Sequence, residues 1–215
     1  MKYSRLIGCL LFTAGFAYCG TISSTFGPGG TFSLGVGFGV VGPAEIAYPF
    51  TVPAGSNYIF DSASLALSEG IGTNDLVTIS LAANATGDPG SILENLVGTV
   101  LPFPNDTVPV TVTSSLNPLL NAGAVYWLIL SPATGNGANW LTANILTNPD
   151  LQATRLSPVG AWTASPLLFG SNNPGAFSVD ATAVSATPEG STWCLVLTGI
   201  ALLSVKRVCS TQQRA

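Results

Sequence analysis

Apolar and polar residues alternate in five separate stretches of this chain. Phe32, Leu34, Val36, Phe38 and Val40 point one way, and Thr31, Ser33, Gly35, Gly37 and Gly39 the other. Ala63, Leu65 and Leu67 alternate with Ser62, Ser64 and Ala66, and Val77, Ile79 and Leu81 with Thr78 and Ser80. Val108, Val110 and Val112 are separated by Pro109 and Thr111. Phe177, Val179, Ala181 and Ala183 are separated by Ser178, Asp180 and Thr182. Period two puts successive side chains on opposite faces of a strand, so each stretch predicts a strand with one buried and one wetter face.

Two runs break the alternation. Ala124-Val125-Tyr126-Trp127-Leu128-Ile129-Leu130 is apolar throughout, which predicts a central strand covered on both faces, with Trp127 in the core. Residues 92–100 are compatible with strand or short helix, and Val97-Gly98-Thr99-Val100 favours strand. Turn chemistry separates the runs at Pro53-Ala54-Gly55-Ser56-Asn57, Asn84-Ala85-Thr86-Gly87-Asp88-Pro89-Gly90, Asn117-Pro118, Gly135-Asn136-Gly137 and Asn172-Asn173-Pro174-Gly175. No helical period and no internal repeat stands out between the ends. About eight to ten short strands with such turns predict an all-β fold, an antiparallel β-sandwich of jelly-roll type. The glycine-rich stretch 27–42 is also compatible with an exposed arm.

Composition sharpens this. The chain is 47% hydrophobic and only 7% charged, against about 25% charged in ordinary soluble domains. Between residues 20 and 187 the only basic residue is Arg155, against nine acids. Gripping a phosphate backbone needs clustered Lys and Arg, so nucleic-acid binding is excluded. The four cysteines, Cys9, Cys19, Cys194 and Cys209, all lie in the terminal segments and define no disulfide framework for the body.

Those terminal segments read as addresses. Lys2 and Arg5 precede an apolar core of about 12 residues, the pattern of a secretory signal peptide and too short to span a bilayer that needs ~20 helical residues. Residues 1–19 are assigned to it, with a cut after Cys19 or after Ala17. Cys19 as an acylated lipoprotein cysteine fits less well, because Tyr18 stands where a small residue is wanted. At the other end, residues 187–215 carry Pro188-Glu189-Gly190, an apolar stretch over 193–205, and the basic pair Lys206-Arg207. Positive charge after a hydrophobic span holds that end in the cytoplasm, leaving the body outside.

This tripartite tail resembles the PEP-CTERM sorting signal of Gram-negative bacteria that make exopolysaccharide. Pro188 and Glu189 match the motif, and Gly190 stands where the family has its second proline. The resemblance implies an exosortase as processing partner, transient residence in the inner membrane through a C-terminal transmembrane helix, and final delivery to the cell surface or matrix. A plain C-terminal membrane anchor is the alternative. The body, residues 20–186, resembles the choice-anchor R type of domain. The matching features are Phe50-Thr51-Val52, Leu65-Ala66-Leu67, Gly87-Asp88-Pro89-Gly90 and Gly123-Ala124-Val125-Tyr126-Trp127-Leu128. That likeness implies a sandwich and a surface role, without an activity.

Candidate chemistry is sparse. The chain has no histidine, and the body beyond Cys19 has neither cysteine nor lysine, which removes the usual nucleophile–base pairs and the usual zinc, copper and haem ligands. Two carboxylates would suffice for glycoside hydrolysis, and Glu45, Glu69 and Glu94 are the candidate acids of that alternative reading. Calcium, a hard cation taking oxygen ligands, is the candidate metal. Glu69, Asn74 and Asp75 share one glycine-containing loop, with Asp88 and Asp180 expected to approach it. Asx residues serving turns explain the same loop without a metal. Trp140 and Trp162 each follow loop residues and are the candidate platforms for a sugar ring. The sequence therefore predicts an exported, non-catalytic structural component of the surface or matrix, glycan-binding or adhesive, with a secreted carboxylate-dependent polysaccharide hydrolase as the alternative.

Overall fold

The computed structural model describes residues 19–70, 76–100, 108–133, 135–143, 152–165 and 174–184. All of them fall within the unit Ala17–Val184. Fourteen strands form there: β1 Cys19–Ser24, β2 Phe32–Val41, β3 Glu45–Thr51, β4 Tyr58–Leu65, β5 Leu67–Glu69, β6 Leu76–Ala85 and β7 Asp88–Val100, then β8 Val110–Thr113, β9 Leu119–Leu120, β10 Val125–Pro132, β11 Gly137–Ala143, β12 Gln152–Arg155, β13 Thr163–Ser165 and β14 Phe177–Ala183. One single-turn 3₁₀ segment, Pro28–Gly30, precedes β2.

One sheet has the order β1-β14-β4-β8, with β9 also on β4. A second has the order β13-β12-β3-β10-β6-β7. Every pairing is antiparallel. Following the eight principal strands, every connection except the β6–β7 hairpin crosses from one sheet to the other. That interleaving is a jelly roll. The hairpin turns on Thr86 and Gly87, at φ 54° and 100°, the two left-handed positions a tight two-residue loop requires.

Between the sheets lies a core drawn from both inner faces, including Ile46, Tyr48, Phe60, Leu65, Ile79, Leu81, Leu128 and Val179. β10 is covered on both faces, as its unbroken apolar run predicts. Tyr126, Leu128 and Leu130 face the main core, while Trp127 and Ile129 pack outside the sheet with Ala47, Ala82 and Ala153.

A third sheet, β2-β11-β5, is built from three connections at one end of the sandwich: β1 to β3, β4 to β6, and β10 onward. Residues 27–42 are therefore not an exposed arm. Phe38 and Val40 of β2 are buried against the main core, although Leu34 stays exposed. At the other end of β2, Phe32 packs on a smaller cluster of Ala66, Leu141, Ala143 and Ala176, so the strand faces two different cores along its length.

The opposite end holds both termini of the described unit. Cys19 of β1 pairs with Thr182 of β14, and Ala183 pairs with Tyr58 at the start of β4. The Val184 amide donates to the Asn57 carbonyl at 2.8 Å. The expected signal segment before Cys19 and the whole of the expected sorting tail, with Pro188, Glu189, Gly190, Lys206 and Arg207, lie outside the described residues. Among the described residues no helix is long and apolar enough to cross a membrane.

Candidate functional site

The body's one basic residue marks the site. Arg155 ends β12, which pairs with β3 so that Arg155 lies opposite Glu45. Both side chains project from the outer face of the six-stranded sheet, where Arg155 Nε donates to Glu45 Oε2. The other carboxylate oxygen, Oε1, accepts from Ser131 Oγ of β10 at 2.6 Å. Glu45 is almost fully buried, and a buried carboxylate persists in this setting because a cation and a hydroxyl both compensate it. The Arg155 guanidinium also lies 4.4 Å from the centroid of Trp162, a cation–π contact that fixes it from a second side.

Two cavities meet at this pair, of about 550 and 630 Å³, and both are lined by Glu45 and Arg155. The first lies between β2 and β12, with Val41, Ala44, Thr154 and Leu156 in its wall. The second lies over β6 and β7, floored by Thr78, Ser80 and Asn95 and rimmed by Ile92 and Pro158. In its floor Ser80 Oγ donates to Asn95 Oδ1 at 2.7 Å. The loop after β12 carries two large apolar residues almost entirely in solvent, Leu156 at 86% and Val159 at 95% exposure.

The two tryptophans part company. Trp140 is fully buried, which corrects its assignment as a sugar platform. In β11 it sits opposite Phe38 and Leu67, a register that turns the indole into the core. There it meets Tyr48 edge-on at 4.8 Å and Phe177 at 6.2 Å, and its Nε1 donates to the Ala176 carbonyl at 3.1 Å. A Cβ at Gly175 would come within 2.7 Å of both Trp140 and Tyr48, so only glycine admits this packing. Burial pushes the Tyr48 hydroxyl well above its ordinary pKa. Trp162 is half-buried. It packs on the Trp127–Ile129 patch beneath the Arg155 guanidinium and does not line either cavity.

The acids of the hydrolase reading are engaged where they are described. Glu45 is held by Arg155 and Ser131. Glu94, nearly buried, accepts from Ser114 Oγ at 2.5 Å, Ser115 N at 2.6 Å, and Ser115 Oγ and Leu116 N at 3.0 Å. Burial pushes its carboxyl upward, but these donors outweigh that and hold it below the ordinary glutamate value.

Of the candidate calcium loop, Asn74, Asp75 and the Glu69 side chain lie outside the described residues. Asp88 does not approach it. Asp88 starts β7 opposite Ala85, while the loop joins β6 at Leu76, nine residues and about 30 Å along the strand. Asp180 accepts from Thr21 Oγ1 at 2.6 Å and Ser62 Oγ at 3.5 Å on the outer face of the other sheet. Among the described residues no three metal-ligating side chains cluster. Cys19, exposed at the start of β1, has its thiol held above the ordinary value by the neighbouring Asp61 carboxylate.

Fold and site together define a jelly-roll β-sandwich with two cavities that share the Glu45–Arg155 pair, one over the outer face of the six-stranded sheet and the other on its inner side beneath β2. No protein-family model matches the chain, and no curated protein matches it.

Proposed function

We propose that this chain is an exported, non-catalytic component of the cell surface or exopolysaccharide matrix of a Gram-negative bacterium, sorted by an exosortase and binding glycans. The observation that carries the reading is the position of the two chain ends. Cys19 and Val184 sit side by side at one end of the sandwich, while Glu45, Ser131 and Arg155 lie at the other. From Thr51 back to Glu45 is about 20 Å along β3. Both connections to the exported and sorted segments therefore leave from the end of the sandwich remote from the Glu45–Arg155 pair. The tail pattern around Pro188-Glu189, the apolar stretch 193–205 and Lys206-Arg207 supports the sorting step. The engagement of Glu45 and Glu94 in structural hydrogen bonds supports a binding role over a hydrolytic one.

Intact masses of the protein from its native host, with and without the exosortase, test the reading. The expected mature species lacks the signal segment and everything beyond Pro188-Glu189. A full-length C-terminus retained in the membrane in both strains would overturn the sorting step and make residues 193–205 a simple anchor.

A further inference from the structure

The groove around Glu45 and Arg155 has a chemistry that selects among glycans. We infer that it binds a neutral oligosaccharide that passes over the strand ends marked by Glu45 and Arg155, from the outer-face chamber to the one beneath β2. The inference deepens the surface-and-matrix reading by naming the ligand class, and it would survive a different route of export.

Charge sets the class. The one cation of the body is already paired with a buried carboxylate, so the groove floor carries no net charge. The body around it holds nine acids and no other base, a field that repels polyanions. An acidic polysaccharide would bring its carboxylates beside the buried Glu45, with one guanidinium to compensate them all. A neutral ligand meets neither obstacle.

The lining sets the shape. Thr78 and Asn95 present a hydroxyl and an amide, groups that both donate and accept as sugar hydroxyls require, while buried Ser80 anchors the Asn95 carbonyl and Ser131 is turned to Glu45. The Glu45 contact runs through Arg155 Nε, and a guanidinium has four further N–H donors in the same plane. Ile92, Leu156 and Pro158 supply apolar walls against which the C–H face of a sugar ring can pack. Each chamber falls within the range of about 300–1,000 Å³ usual for small-molecule sites. Two of them sharing one wall suit a chain of sugars over a single ring. Trp162 enters as a positioning residue: it holds the guanidinium over the junction without lining a chamber.

The test uses the full chain in a zwitterionic, sugar-free detergent, titrated calorimetrically with gluco- and manno-hexasaccharides, the matching disaccharides and an oligogalacturonate of equal length. At least one neutral hexasaccharide is expected to bind with Kd below about 1 mM, the disaccharide at least about tenfold more weakly, and the oligogalacturonate not at all. Added salt should leave the neutral affinity unchanged, because no net charge is neutralised on binding. Thr78→Trp fills the second chamber from a partly exposed strand position and should weaken hexasaccharide binding at least about tenfold with the melting temperature retained. The paired change Glu45→Gln with Arg155→Gln, which strands no charge, should also weaken binding. The inference falls if no neutral hexasaccharide binds at about 10 mM, if the oligogalacturonate binds more tightly, or if folded Thr78→Trp binds as the parent does. None of these outcomes depends on where the tail is cut.

Discussion

Replacing Glu94 with alanine removes one carboxylate and orphans four donors at once. Glu94 belongs to β7, the edge strand of the six-stranded sheet, whereas Ser114, Ser115 and Leu116 form the bend leaving β8 in the other sheet. The same Ser114 hydroxyl accepts from the Asn117 amide at 2.8 Å, so the carboxylate organises the whole bend. Hydrogen bonds to charged groups contribute about 1.5–3 kcal/mol each, but they are not additive within one cluster. Ser115 and Leu116 are exposed, so water re-solvates part of what is lost. We expect Glu94→Ala to cost about 2–4 kcal/mol, a large share of the roughly 5–15 kcal/mol that holds such a domain together. Glu94→Gln keeps the shape and an acceptor oxygen and should cost about half as much.

The pH dependence carries the sharper test. The folded carboxyl titrates below its unfolded counterpart, so the unfolded chain takes up the proton first as pH falls. Its stabilising contribution is complete above the unfolded value of about 4.3 and is lost as pH drops through the lower folded value. Glu94→Gln has no such group. Urea unfolding followed by tryptophan fluorescence should therefore show a parent–variant gap at pH 7 that narrows steadily below about pH 4. A gap that stays constant across that range, or a Glu94→Ala loss below about 0.5 kcal/mol at pH 7, would refute the argument.

The tryptophans offer a direct contrast in urea titrations. Trp140→Ala should cost about 3–5 kcal/mol, since it empties a fully buried site ringed by Tyr48, Phe38 and Phe177, while half-buried Trp162→Ala should cost clearly less. Gly175→Ala forces a methyl against the Trp140 and Tyr48 rings and should lower stability by about 1–3 kcal/mol, read from the melting temperature. Arg155→Ala leaves Glu45 buried without its cation and should destabilise by about 3 kcal/mol or more; the paired Glu45→Gln, Arg155→Gln variant should recover much of that loss. Equal stabilities for the single and paired variants would show that the ion pair is solvated rather than buried.

How much of this was legible in the chain follows from what each strand has beside it. β6, β10 and β14 announce themselves because their inner faces meet the core over their full length, so period two or a solid apolar run survives intact. β3 is harder to see in the sequence, although Ile46, Tyr48 and Phe50 alternate inward, because Glu45 and Pro49 occupy its outer face. Both are tolerated for local reasons. Glu45 has Arg155 opposite. The pairing with β12 involves Glu45, Ile46 and Ala47 and stops short of Pro49, which therefore owes no N–H to that neighbour. β11 hides behind Gly137 and Asn139, and its tryptophan looks like a loop residue until the pairing with β2 turns it inward. The site was half visible. A lone arginine in a body otherwise free of bases is a conspicuous feature, but its carboxylate partner stands 110 residues away, and only the docking of β12 on β3 joins them.

That docking also explains how the outer face of the six-stranded sheet comes to carry a cavity. Along the five-stranded sheet the outward residues are short and hydroxylated, and they satisfy one another across strands. Ser64 and Thr111 lie 2.8 Å apart, Thr182 Oγ1 donates to Asp61 Oδ2 at 2.7 Å, and Thr21 and Ser62 both donate to Asp180. Such a ladder leaves little unsatisfied for a ligand to engage, and its short side chains leave no relief. On the six-stranded sheet the addition of β12 and the loop after it raises a wall on an otherwise similar polar surface. The wall brings a guanidinium, buries the glutamate it pairs with, and leaves Thr78 and Asn95 beside it, Asn95 held by the buried Ser80 hydroxyl. Two faces that read alike as alternating sequence differ because one of them receives a strand that the alternation does not foretell.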